Sequence, residues 1–275
     1  MTLQIIFIYC LCEEFVKTLG LKEDDQSKMA EAEVITFALV AALYFHGNYS
    51  KTHLFFRSHR YFTYLLGKSR LNKRLLRIPE DIWTTILSFS HACLKDASNR
   101  EFIVDSFPVP ICKNARITRC KLVRDKKYKG YCSSKQMYFY GIKVHIISTI
   151  DGIPLEVIFT PGSESDIRAF RRFHTDLSNG SVIYADKGYT DYKYEDLLAE
   201  FGIYLCAHRK KNATRQHSFR TAAIQKYRRK RIETMFSSIT RMMPGSIHAV
   251  TFKGFALKVM LFILAYSISN ISISG

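Results

Sequence analysis

The chain is predicted to fold as a mixed α/β sheet flanked by helices and preceded by a helical region. Two observations lead to this fold class. Residues 31–98 carry apolar side chains at helical spacing. From residue 99 onward, short apolar segments rich in β-branched and aromatic residues alternate with amphipathic ones, a pattern typical of sheets covered by helices. We therefore divide the chain into a helical region at 1–98 and an α/β domain at 99–275.

The helical region is predicted to contain several separate helices. A first helix leads into a polar connector at 22–28, and a second covers 31–44 until residues 46–48 break it. Ser69 is the expected N-cap of a further helix, and residues 82–93 supply another. The basic helix that begins at Ser69 suits a helix-turn-helix that reads DNA ends, while a plain packing unit is the alternative that the sequence leaves open.

The second region is predicted to alternate strands and helices. The expected strands are 102–104, 137–150, 155–160, 182–185 and 203–207. The expected helices are 167–177, 194–201 and 222–243. Asp151-Gly152 joins the second and third strands as a hairpin. The apolar segment 259–268 falls short of the ~20 residues that a membrane span needs, so it is interpreted as a buried terminal helix.

The charge of the chain favours a polyanionic partner. Its 41 Lys and Arg against 24 Asp and Glu give a formal net charge of +17. Residues 113–129 hold eight basic residues against Asp125 alone, and residues 209–231 hold ten with no acid. Because a solvated face usually mixes signs, such runs favour phosphate contacts. Nucleic acid is the first candidate, ahead of an anionic membrane.

Three carboxylates stand apart from the 14 acidic residues found from residue 101 onward. Asp105 and Asp186 each directly follow a predicted apolar strand, and ligands gather outside the carboxyl ends of strands in open α/β sheets. Glu233 is the only acid after residue 200, where 13 Lys or Arg lie. Singly, the aspartates could be turn residues and Glu233 could pair with Arg229. Jointly, the three form a more specific constellation.

Such a constellation suits phosphodiester cleavage. Two divalent metals about 3.5–4 Å apart can be bridged by hard oxygen ligands, one activating water or a 3′-hydroxyl and the other stabilising the leaving oxygen. Three carboxylates neutralise much of that charge and leave room for phosphate. Without metal they would repel one another and the DNA, so the site is expected to be metal-dependent.

At these residues the chain resembles the DDE transposases of bacterial insertion sequences, and within them the insertion-sequence group numbered 982. The matching segments are FIVDSFPVP at 102–110, GYCSSKQMYFYGIKVH at 130–145, TPGSESD at 160–166, YADKGY at 184–189, KRIETMF at 230–236 and the apolar tail at 254–269. The resemblance implies an RNase H-like (retroviral-integrase-like) catalytic domain.

The resemblance also implies an activity. Asp105, Asp186 and Glu233 would be the catalytic and metal-binding triad, holding two Mg²⁺ or Mn²⁺ ions. The enzyme would cut double-stranded DNA at terminal inverted repeats and join the freed 3′-hydroxyl to target DNA. A homodimer is expected, because two ends must be brought together. A cytoplasmic, nucleoid-associated protein without a membrane partner is expected, and the seven irregularly spaced cysteines are interpreted as reduced thiols.

Further site residues follow from the same comparison. The expected contacts with the DNA backbone are Arg228, Arg229, Arg231, Lys187, Lys126, Lys127 and Lys129. His145 and Asp166 are candidates for supporting positions near the site, with a plain strand residue and a helix cap as alternatives. The family's tyrosine and lysine around the glutamate are replaced here by Lys226 and Thr240, which puts the usual lysine contact in doubt but not the triad.

Two other functions remain open on the sequence. A sequence-specific DNA-binding protein without catalysis would use the helical region alone. A structure-selective nuclease would use the same fold and the same carboxylates without joining DNA, since a fold does not dictate its substrate.

Overall fold

The chain folds into two compact units. The structure is a computed structural model that describes residues 2–21, 26–94, 99–132, 136–174 and 176–271. The helical unit comprises Met1–Cys93 and Ser238–Gly275, and the sheet unit comprises Leu94–Ser237. The terminal residues, which the sequence analysis assigned to the α/β domain, thus belong to the helical unit. Residues 22–25 of the predicted connector lie outside the described residues.

The helical unit is built around a helix that is buried almost all round. Its helices in the described part of the chain are α1 (Thr2–Thr18), α2 (Glu31–Phe45), α3 (Tyr49–His59), α4 (Lys68–Arg77), α5 (Glu80–Leu94) and the terminal α9 (Phe252–Ser269). Helix α2 packs against α1, α3, α4 and α9. On α2, Phe37 stacks on Phe56 with ring centroids 5.5 Å apart. Aromatic pairs of this kind add to the burial of apolar area that holds the unit together.

Two details of the helical unit differ from the sequence-based expectation. Helix α4 begins two residues earlier than predicted, with Gly67 rather than Ser69 at the N-cap. Helix α3 follows the predicted break at residues 46–48 directly, because His46 adopts a left-handed conformation and the Asn48 side chain accepts hydrogen bonds from the backbone of Ser50 and Lys51. These two residues end α2 and start α3, which was not predicted, within three residues.

The terminal helix α9 is a core element. By length and composition it could cross a membrane, but 61% of its 18-residue window is buried inside the protein. A mostly buried apolar helix is what a core position requires. The predicted buried terminal helix is therefore confirmed.

The sheet unit is organised by six strands among its described residues. They are β1 (Glu101–Cys112), β2 (Lys129–Cys132), β3 (Met137–Thr149), β4 (Pro154–Pro161), β5 (Ser181–Ala185) and β6 (Ile203–Ala207). The order is β2-β3-β1-β5-β6, with β4 also paired to β3. The pairs among β1, β2, β3 and β4 are antiparallel, and β5 and β6 run parallel to β1. The predicted mixed sheet is confirmed.

Strand β1 is much longer than the predicted segment 102–104. The sequence did not predict the rest of β1 because it contains Pro108 and Pro110, and proline lacks the N–H that a central strand donates. Beyond Val104 only β3 pairs with β1 among the described strands, because the parallel pairing with β5 ends at Val104 and Ala185. Asp105 therefore lies in the middle of β1 and not at its end, which corrects the prediction.

Helices cover both faces of the sheet. Helices α6 (Asp166–Phe170) and α7 (Tyr192–Glu200) belong to one face, where Phe170 packs in a cluster with Phe102, Val104 and Ile183. Helix α8 (Phe219–Met242) lies on the other, where Phe236 packs on Phe107 with ring centroids 4.7 Å apart. The predicted helix 167–177 is wrong in length: it stops early, and the backbone N–H of His174 donates to the Glu156 carboxylate instead.

Gly141 offers a test of the β1–β3 register. It faces Pro110 beside a bulge, and an added Cβ would meet the carbonyl oxygen of Val109 and lie 2.8 Å from Pro110 Cα. Because these neighbours are backbone atoms, we expect Gly141→Ala to lower the free energy of unfolding by about 3 kcal/mol in urea denaturation. Gly245→Ala, with nothing within 4 Å of its Cβ, is the control and should change it little. Equal effects would contradict the tight register.

Candidate functional site

The parallel pairing of β1 and β5 brings two aspartates together. Val104 and Ala185 are the last partners of this ladder, and Asp105 and Asp186 are the residues that follow them. Neighbouring strands lie about 4.8 Å apart, so the next residues on both strands start close together. Asp186 leads directly into a short 3₁₀ turn, Lys187–Tyr189. The predicted proximity of these two carboxylates is therefore a direct result of strand register.

Arg229 of helix α8 lies between the two carboxylates. Its guanidinium donates to Asp105 Oδ2 at 3.2 Å and to Asp186 Oδ1 at 3.1 Å. The side chains are 19% exposed for Asp105, 36% for Asp186 and 23% for Arg229, so all three are shielded but reachable. One cation thus compensates two anions that would otherwise repel each other.

Asp105 has an unusual electrostatic environment. Burial raises its pKa to about 6, although Arg229 and the backbone N–H of Ser106 lower it and the charge of Asp186 raises it. The loss of hydration is therefore larger than the stabilisation from its neighbours. A carboxylate in this position gains from any additional cation that approaches it.

Helix α8 passes over the ends of β5 and β6 and over the middle of β1. At its start, the Gln225 side-chain amide donates to the carbonyl oxygens of Ala185 at 2.9 Å and Cys206 at 2.7 Å, which anchors α8 to the ends of β5 and β6. Farther along, Phe236 packs on Phe107 of β1. Glu233 lies between these anchors, one helical turn after Arg229, and is exposed. It projects from the same side of α8 as Arg229, and its place beside the aspartates stays a prediction.

The oxygen donors of Asp105 and Asp186 fit a divalent cation. Hard carboxylate oxygens are the ligands that Mg²⁺ and Mn²⁺ prefer. Within the described ranges, no group of three or more His, Cys, Asp or Glu side chains is arranged to hold a metal. Two carboxylates therefore converge, and Glu233 does not complete such a group with them. The alternative in which Glu233 pairs with Arg229 is not observed, since the ion pairs of Arg229 are with the two aspartates.

A second polar cluster lies behind the two aspartates. Ser106 donates to Asp166 Oδ1 at 3.2 Å, and Lys143 Nζ contacts the same oxygen at 3.1 Å. His145 is fully buried between Tyr189, at 3.4 Å, and Thr160, at 3.0 Å. Asp166 is not a helix cap, because Ser165 occupies the N-cap position of α6.

This cluster connects the segments that carry the aspartates. Ser106 follows Asp105 directly, and Tyr189 lies three residues after Asp186. Gly188 leaves room for Asp166, since an added Cβ would lie 2.7 Å from Asp166 Oδ2. Sequence reasoning missed Ser106, Lys143 and Tyr189. The quoted segment YADKGY contained the one usable signal, a glycine and an aromatic two and three residues after an aspartate.

The residues expected to contact DNA divide into two groups. Arg228 and Arg229 make internal ion pairs, Arg228 with Glu101 at 2.7 Å and Arg229 with the aspartates. The exposed members are Lys126, Lys127, Lys129, Lys187 and Arg231. The DNA contacts of both groups stay predictions.

The comparisons with known proteins agree with this geometry. Residues 96–268 match the family described as Transposase DDE domain, and the chain belongs to that family. Among solved structures, it is similar to a piggyBac transposase synaptic complex with hairpin DNA, with 12% identity and a TM-score of 0.50 over 96% of this chain and 72% of that one. No curated protein matches the chain in sequence.

The family match and the structural likeness define the fold and the general activity of the chain. The likeness to the piggyBac structure shows the fold alone, and the predicted mixed α/β sheet flanked by helices and preceded by a helical region is confirmed. Family membership makes the protein a DDE transposase that acts in DNA transposition, and this family generally uses divalent metals.

The buried histidine predicts a pH-dependent stability. Burial lowers the pKa of His145 to about 4, below the ordinary value of 6.5, so the folded state resists protonation. As pH drops from about 6.5 to about 4, the free energy of unfolding of the native protein should therefore fall by roughly 3 kcal/mol more than that of the His145→Gln variant. Urea denaturation across this pH range measures the difference.

The control for this measurement is His174→Gln, since His174 is exposed. Its pH profile should follow the native protein. If the free energy of unfolding of the His145→Gln variant has the same pH dependence as that of the native protein, burial does not keep His145 uncharged in the folded state.

Proposed function

We propose that the chain cuts DNA at transposon ends and joins the freed 3′-hydroxyl to target DNA, using Asp105, Asp186 and Glu233. The observation that carries the proposal is the convergence of two strand-positioned aspartates on Arg229, with the glutamate one turn farther along α8. The quoted motifs support a finer assignment to bacterial insertion sequences of the group numbered 982.

The carboxylates are proposed as metal ligands. Two Mg²⁺ or Mn²⁺ ions held by Asp105, Asp186 and Glu233 would supply activation of water or a 3′-hydroxyl and neutralisation of the leaving oxygen. Asp105 and Asp186 are held rigidly by strand register, while α8 supplies Glu233. Arg229 balances the charge of the aspartates in the form described here, which keeps two like charges stable at close range.

Exposed basic residues around the triad would hold the DNA backbone. Lys187 directly follows Asp186, and Arg231 lies two residues before Glu233 on α8. Lys126 and Lys127, just before β2, and Lys129, its first residue, add a third group. In the helical unit, α4 buries Leu71 and Leu75, and its Arg74 pairs with Glu31. The other basic residues of α4 are exposed and form a face suited to terminal-repeat DNA: Lys68, Arg70, Lys73 and Arg77. A homodimer that joins two ends belongs to this proposal.

The triad is tested by isosteric substitutions. Asp105→Asn, Asp186→Asn and Glu233→Gln each remove a charged oxygen donor, so we expect cleavage of a terminal-repeat duplex to fall by at least about a thousandfold, the scale of a lost major electrostatic contribution. Affinity for the same duplex in EDTA should persist. Glu200→Gln, on the exposed surface of α7, is the matched control and should cleave normally.

The outcomes separate the alternatives. A variant that retains cleavage removes its carboxylate from the mechanism. Cleavage by the native protein without joining to a target plasmid would indicate a structure-selective nuclease. Binding without any cleavage in Mg²⁺ or Mn²⁺ would indicate a DNA-binding protein.

Arg229 allows a test that does not depend on activity. Arg229→Gln leaves the aspartate pair without its cation, so affinity for Mn²⁺ in the absence of DNA should rise about tenfold, equivalent to about 1.4 kcal/mol. The gain is modest because Asp186 is partly exposed and solvent screens the interaction. Titration calorimetry measures it. Arg231→Gln, exposed on the same helix, is the control; an equal gain there would mean a general charge effect.

A further inference from the structure

Two exposed tyrosines face each other across the β2–β3 ladder. Tyr131 and Tyr138 are directly paired, with ring centroids 5.1 Å apart. Their side chains remain 48% and 57% exposed. Lys129 places its ammonium over the Tyr138 ring at 4.9 Å. Two adjoining aromatic rings with a cation beside them form a surface that water solvates poorly.

The ladder does not need these rings for its own packing. Burial alternates along β2, with Gly130 and Cys132 buried while Lys129 and Tyr131 are exposed. The Phe139 ring covers Gly130, where an added Cβ would lie 2.6 Å from it. The core contacts of the ladder therefore come from the neighbouring residues, and about half of each tyrosine stays exposed to a ligand.

The surroundings of the tyrosines select an anionic ligand. The segment 113–129 that leads into β2 holds eight Lys or Arg and one acid, Asp125. That acid is already paired with Lys127 at 3.4 Å. Lysines interleaved with exposed aromatic rings fit a polymer with negative backbone and flat bases better than they fit an apolar protein surface or a lipid chain.

The sheet relates this surface to the carboxylate site. Directly paired antiparallel residues lie on the same face, and Asp105 pairs with Ile146 of β3. Tyr138 is eight residues before Ile146, an even number, so it is on the same face of the sheet as Asp105. At about 3.3 Å per residue the separation is about 26 Å. Duplex DNA covers that distance in about eight base pairs.

We propose that Tyr131 and Tyr138 form a stacking platform for unpaired bases of DNA that is engaged at the carboxylate site. The proposal rests on the proposed function, since it takes that site as the place where the DNA is held. Unpaired bases are favoured because a base presents its π-face to a protein ring only when it is outside the stack. Lys129 would contact the adjoining phosphate.

The platform is tested on the full chain in EDTA, where no cleavage is required. The probes are a short mixed-sequence single-stranded oligonucleotide and the matching duplex, both fluorescently labelled. Tyr131→Ala combined with Tyr138→Ala should weaken binding of the single strand at least about tenfold and that of the duplex less than about twofold, since stacking is lost only for unpaired bases. Tyr131→Phe combined with Tyr138→Phe should bind like the native protein.

The matched control is Tyr204→Ala, which removes an equally exposed tyrosine from β6 and should not change either affinity. A second readout uses 2-aminopurine in the single strand, whose fluorescence is quenched by stacking on the native protein and recovered with the alanine pair. Unchanged single-strand affinity, or an equal loss for both probes, overturns the platform. This experiment measures binding and not cleavage, so its result does not depend on whether the triad cuts DNA.

Discussion

The site depends on one balance of charges, in which two aspartates on neighbouring strands share a single guanidinium. Strand register fixes the aspartates, because Val104 and Ala185 end the parallel ladder immediately before Asp105 and Asp186. The backbone therefore holds two like charges close together whether or not a cation is near, and Arg229 supplies the compensating charge. Helix α8 must then be held against the same strand ends. Gln225 accomplishes this by donating to two strand carbonyl groups, so the position of Arg229, and of Glu233 one turn later, follows from how α8 is anchored.

The opposite side of the same strands shows how that geometry is kept rigid. Ser106 and Tyr189 are close in sequence to the two aspartates, but their side chains belong to the buried cluster with His145 and Asp166. Buried polar groups are costly unless they are hydrogen-bonded, so each partner in the cluster restricts the others to one arrangement. Contacts on the opposite face of the sheet thus fix the strand and the turn that carry the aspartates. The two carboxylates can therefore stay partly solvated and free to bind a cation.

Much of this arrangement could be predicted from the sequence, and the failures have physical causes. Apolar runs before Asp105 and Asp186 predicted the two strands that bring these carboxylates together, while the role of Glu233 as the third carboxylate, inferred from its isolation in a basic helix, stays a prediction. The length of β1 could not be predicted, because Pro108 and Pro110 are tolerated only where an edge has no further strand partner, a property of the tertiary fold. The partners of Arg229 were also beyond reach, since a basic residue in a basic run is expected to face solvent. The N-cap of α4 shifted because backbone conformation at Gly67 outweighed the preference for serine.

The terminal segment shows how composition alone can mislead about architecture. Helix α9 is as apolar as a membrane span, yet its partner is α2, which is itself buried nearly all round. An apolar helix of this kind needs neighbours on every side. Helix α2 has them because α9 packs on it together with α1, α3 and α4. The contact is close where α2 ends, since an added Cβ on Gly47 would lie 3.1 Å from the Phe262 ring. The helical unit is therefore completed by residues from both ends of the chain, with the sheet unit inserted between them in sequence. A fragment that stops at residue 98 lacks α9 and would expose the apolar surface of α2, so DNA reading by the helical unit is a property to examine only in the full chain.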